Sequence, residues 1–61
     1  MRIDDILAER DLQQVGIGLT EAEALELRDT LNVLLEDSGP RHEHVSSSDY
    51  SRELTVWIVR D

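Results

Sequence analysis

The sequence predicts an α+β domain: a small single-layer sheet of about three strands, in a βαββ core, packed on one long helix and preceded by a short N-terminal helix. Two observations predict this class. Residues 19–40, LTEAEALELRDTLNVLLEDSGP, carry apolar side chains at helical spacing and punctuation at both ends. On either side, LQQVGIGL at 12–19 and RELTVWIVR at 52–60 alternate with the period of two that belongs to strands. Residues 1–61 read as a single domain, since 61 residues have room for one core.

Ile3, Ile6 and Leu7 fall at i, i+3 and i+4, which predicts a short helix over 3–10. Asp4 and Asp5 in its first turn and Arg10 in its last suit the helix dipole. Two to three turns are unstable alone, so this helix must dock. A strand over 13–19 follows. Val15, Ile17 and Leu19 line one face, and Gly16 and Gly18 lie together on the other. Glycine weakens a strand unless the space is needed. Either a helix or a second backbone comes close there, or the strand is bulged or bent. The GIGLT run precedes a helix, yet it lacks the lysine and fuller glycine motif of a phosphate-cradling loop.

The main helix is predicted over 20–38. Thr20 and Glu23 form a capping box. Gly39 and Pro40 stop the helix. Pro40 has no N–H, so closure there rests on one bond from the Gly39 N–H rather than the two of a Schellman motif. Ala24, Leu27, Leu31, Leu34 and Leu35 form the stripe expected to face the core. Leu25 and Val33, with Ala22, sit on roughly the opposite side, where the N-terminal helix or another subunit is their expected contact. Glu23, Glu26, Asp29 and Asp37 follow one edge. Glu23–Glu26 and Glu26–Asp29 are like-charge neighbours at i, i+3, which a helix tuned only for stability avoids. Glu36 and Asp37 also oppose the dipole at the C-terminal end, where Arg41 is placed to compensate. The acidic edge is a candidate docking surface for a basic partner; the plainer reading is a solvated face.

Residues 42–46 predict a short strand, SSSDYS a turn, and 52–60 the strongest strand of the chain, paired antiparallel with the one before it. Leu54, Val56 and Ile58 point one way, and Thr55, Trp57 and Val59 the other. Apolar residues on both faces predict cover on both sides. One helix covers the first face. The Thr55, Trp57 and Val59 face then needs the N-terminal helix or a second copy, and a homodimer is expected through that face or through the sheet edge.

Composition narrows the function. Fourteen acidic residues against six basic give a formal net charge of −8, which opposes nonspecific nucleic-acid and anionic-membrane binding. All six cations are Arg, a bias that points to a GC-rich bacterial genome. There is no Cys and no Phe, and Trp57 and Tyr50 are the two aromatics, so a core must be closed with aliphatic residues or with borrowed surface. The acidic N-terminal run MRIDDILAERD is no signal peptide, and no apolar run approaches the ~18 residues of a membrane helix, so a cytoplasmic protein is expected.

Little in the chain points to chemistry. His42 and His44 leave one face of a strand and start a metal site, but the spacing supplies no third ligand; Glu36, Asp49 and Glu53 are the candidates. Ser46, Ser47 and Ser48 lie near His44 and Asp49, and a catalytic triad is a matter of geometry, not proximity in sequence. No catalytic, cofactor or metal residue is assigned. The expected function is that of a non-catalytic protein-interaction module, a homodimeric adaptor or regulatory protein. The alternative is an acidic inhibitor, of the antitoxin, immunity or nucleic-acid-mimic type, that occupies a basic cleft. The candidate protein-binding residues are Glu23, Glu26, Asp29, Asp37, Leu25, Val33, Trp57 and Val59.

Overall fold

A computed structural model describes residues 1–37 and 41–59. The chain runs β1 (Asp4–Asp5), β2 (Arg10–Asp11), α1 (Glu21–Glu36), β3 (His42–Ser46) and β4 (Glu53–Trp57). The class is α+β, as the sequence predicts. The arrangement differs: two separate two-stranded antiparallel sheets, β1–β2 and β3–β4, replace the single sheet of about three strands.

The predicted N-terminal helix is a small hairpin. Asp4 pairs with Asp11 and Asp5 with Arg10, and the Leu12 N–H donates to the Ile3 carbonyl at 2.6 Å. The helical spacing of Ile3, Ile6 and Leu7 loses to local side-chain chemistry. The Asp5 carboxylate accepts from the Ala8 N–H at 3.1 Å, a bond that competes with a helical one. Glu9 then takes a left-handed conformation, φ 53°, which turns the chain back. Asp4 and Asp11 stand opposite each other as like charges. Arg2 relieves this with an ion pair to Asp4 at 3.1 Å.

The predicted strand over 13–19 is absent as well. Residues 13–19 carry no helix or strand. Their alternation is real, but alternation supplies no partner, and these residues join no ladder among the described residues.

Helix α1 begins where the capping box puts it. The Thr20 hydroxyl accepts from the Glu23 N–H at 3.1 Å and the Glu23 carboxylate accepts from the Thr20 N–H at 2.8 Å. It ends at Glu36, with Asp37 extended and its N–H bonded to the Val33 carbonyl. The predicted stop at Gly39 and Pro40 lies outside the described residues. Arg41 ties the helix end to β3, pairing with Asp37 at 3.2 Å and with Glu43 at 2.6 Å.

The β3–β4 hairpin matches the expected antiparallel pairing, with His42 opposite Trp57 and Ser46 opposite Glu53. Its strand β4 ends at Trp57, short of the predicted 60. The turn is built by Asp49. One carboxylate oxygen accepts from the Ser51 N–H and from the Ser47 and Ser51 hydroxyls, at 2.8–3.0 Å. Tyr50 is left-handed there, φ 59°.

Helix α1 packs against β3. Leu34, 2% exposed, and Val45, 4% exposed, are the only fully buried side chains among the described residues. Leu54 and Val56 share the face of Val45 and are half-buried. On the helix and at its C-terminal cap, the less exposed positions are Glu23, Leu27, Thr30, Leu34 and Asp37. The docked stripe is therefore rolled toward the acidic edge, and of the predicted stripe Ala24, Leu31 and Leu35 are left exposed. Glu23 and Asp37 tolerate half-burial because each carboxylate already has a bonded partner.

Candidate interaction surfaces

The eight candidate binding residues do not form one site. Glu23 serves the cap, Asp29 pairs with Arg28 at 3.1 Å, and Asp37 pairs with Arg41. Glu26 stays exposed and outside the ion pairs of the described residues. The acidic edge is thus largely occupied from within. Leu25 is exposed on the side of α1 opposite Leu34, and Val33 is exposed on the flank between them. Trp57 and Val59 belong to the other layer. Trp57 is half-buried and Val59, beyond the end of β4, is 54% exposed.

Alternation in the hairpin decides what the open sheet face carries. Val45, Leu54 and Val56 turn toward α1, so His42, His44, Glu53, Thr55 and Trp57 turn away from it. The two imidazoles meet edge to face, 5.2 Å between ring centres. His44 Nδ1 lies 2.7 Å from the Glu53 carboxylate and 2.9 Å from the Thr55 hydroxyl. Ile6 and Leu7, at the tip of the N-terminal hairpin, line a cleft of about 940 Å³ together with this face, Arg41 and Tyr50. They do not close it; Leu7 is 98% exposed.

Neither chemical reading gains geometry. No group of three or more potential metal ligands gathers among the described residues. The serine-rich loop and the histidine serve separate structural networks: Ser47 and Ser51 bond Asp49, while His44 bonds Glu53 and Thr55. The hydrogen bonds from the Ser51 N–H, the largest influence, and then from the Ser51 and Ser47 hydroxyls hold the Asp49 carboxyl at about 2, below its ordinary 3.8. Arg41 is pushed above the usual arginine value, first by Glu43 and then by Asp37.

A surface that sequence reasoning did not rank as a site is the run at 15–19. Val15, Ile17 and Leu19 are all exposed. Beside the run lies a groove of about 540 Å³, whose far wall includes Val45 and Leu54. The signal for it was present, in the alternation and the paired glycines.

Comparison with protein-family models, with curated proteins and with solved structures finds no match to this chain. Among the described residues, no helix is long and apolar enough to cross a membrane.

Proposed function

We propose that this chain is a non-catalytic protein-interaction module that works as a homodimer. One observation carries the reading. A folded monomer of 7.0 kDa has an accessible surface of about 4,000 Å², whereas this chain exposes 5380 Å², a surplus of about 1,300 Å². Its radius of gyration, 12.3 Å, likewise exceeds the ~10.5 Å of a compact chain of this length. Much of the excess is aliphatic and distributed over the N-terminal third and the outer sides of α1. A stable interface hides about 800 Å² on each partner, well within the surplus.

The second copy supplies the missing cover, and the Trp57 face and the Leu25–Val33 side of α1 offer docking area to a further protein. Sedimentation at high micromolar concentration is expected to return a dimer. A monomer with a cooperative, high melting transition sinks the reading.

The acidic-inhibitor alternative draws on the net charge of −8. Glu26 and its neighbours supply less free carboxylate than the sequence promises, since Glu23, Asp29 and Asp37 are engaged within the chain. Salt separates the two readings. Binding to a basic cleft weakens steeply as salt rises, whereas apolar docking persists.

A further inference from the structure

We infer that the two copies meet along residues 15–19, paired antiparallel across a two-fold axis with Ile17 at its centre. This rests on the homodimer reading above and specifies its seam. Four observations converge on the run.

Its backbone is unpartnered. Among the described residues, none of residues 13–19 makes a backbone or side-chain hydrogen bond within the chain. Unpaired N–H and C=O groups beside alternating apolar side chains are what strand addition uses. None of these residues has a positive φ, so strand geometry requires no change of hand.

The glycines have no use inside the chain. A Cβ placed on Gly16 or Gly18 meets nothing within 4 Å, and neither residue is left-handed. Glycine inside a strand is costly unless another backbone comes close. Here that backbone must come from outside the described residues.

The order VGIGL reads nearly the same in both directions about Ile17. Antiparallel pairing of two copies therefore sets Ile17 on Ile17, Val15 on Leu19 and Gly16 on Gly18. Six aliphatic side chains gather on one face and four glycines on the other. Such a contact is self-complementary and closes at two copies.

Charge selects the same place. Each copy carries −8, so like copies repel over most of their surface. Residues 12–20 are the longest stretch without Asp, Glu or Arg.

Single cysteines test the register in a chain that has none of its own. Directly opposed strand residues have Cα atoms about 4.5–5.5 Å apart, inside disulfide range. Ile17→Cys is expected to form a covalent dimer under mild oxidation at least tenfold faster than Val15→Cys or Leu19→Cys alone. In those two, the cysteines of the copies stand roughly 14 Å apart along the seam. Mixing Val15→Cys with Leu19→Cys restores fast crosslinking, in the mixed species only. A wild type that sediments as a dimer while Ile17→Cys crosslinks no faster than Val15→Cys overturns the seam and leaves the dimer standing. A wild type that sediments as a monomer, with no crosslinking at position 17, removes both.

Discussion

Residues 1–19 hold more apolar side chains per residue than residues 21–57, yet only the second region buries any of them fully. The difference lies in what each region can offer as an opposing face. Helix α1 sets Leu34, with half-buried Leu27 beside it, against a five-residue ladder. The N-terminal hairpin has two-residue strands, and the run after it has no ladder. Apolar content drives burial only where secondary structure gathers it on one side. Residues 1–19 have the content without the gathering, and most of their large apolar side chains stay exposed.

The sharpest way to break this comparison is to remove one side chain from each region. Leu34→Ala is expected to cost about 2–5 kcal/mol, enough to unfold a marginal domain. Leu7→Ser is expected to stay within about 0.5 kcal/mol. Urea unfolding followed by circular dichroism reads both; equal losses would erase the distinction. Next in size is the cap. Thr20→Ala leaves the Glu23 N–H without its hydroxyl acceptor and should cost about 1 kcal/mol, lowering the melting temperature by roughly 4–8 °C. Thr20→Gly should lose only a few tenths of that amount.

A smaller effect sharpens the contrast. Tyr50 and Glu9 are both left-handed, one in each region. Replacing either by Gly relieves roughly 1–2 kcal/mol of backbone strain, offset in part by chain entropy. Tyr50→Gly is expected to raise the melting temperature by a few degrees, because the β3–β4 turn belongs to the packed unit; the Tyr50 side chain is 84% exposed and little contact is lost. Glu9→Gly should leave the global transition almost unmoved. A matching gain at both sites would place the N-terminal hairpin in the same cooperative unit.

The subtlest test is acidity. Asp49 is held at about 2 against an ordinary 3.8. Its depressed value means that the ionised carboxylate favours the folded turn. That contribution is full above about pH 4 and fades as pH falls through 3.8 toward 2. Protection of the Ser51 amide, taken relative to its intrinsic exchange rate at each pH, should fall over this window, and Asp49→Asn should abolish that fall. A fall that persists in Asp49→Asn would assign it to another carboxylate.

Legibility in the sequence followed the range of the interaction. Thr20 and Glu23 were readable because both bonds of the capping box span three residues. The SSSDYS turn and the pairing of 42–46 with the last strand were readable because Asp49 closes a short loop. The N-terminal hairpin was missed through an equally local feature. The spacing of Ile3, Ile6 and Leu7 drew attention to a helix, and the Asp5 bond to the Ala8 N–H outweighed it. The internal engagement of the acidic edge is not legible for a related reason: charge can be counted in a sequence, but the bonds of Glu23, Asp29 and Asp37 to their neighbours cannot.

By itself the sequence determined the class, the start of the long helix and the C-terminal hairpin, all closed by contacts between near neighbours in the chain. Only the tertiary structure decided which side of α1 docks and whether residues 13–19 find a strand to pair with. Both are competitions between distant surfaces. The helix rolled onto its acidic edge because Arg41 and the cap had already satisfied Asp37 and Glu23. The 13–19 run pairs with no strand among the described residues, although both two-stranded sheets leave edges open.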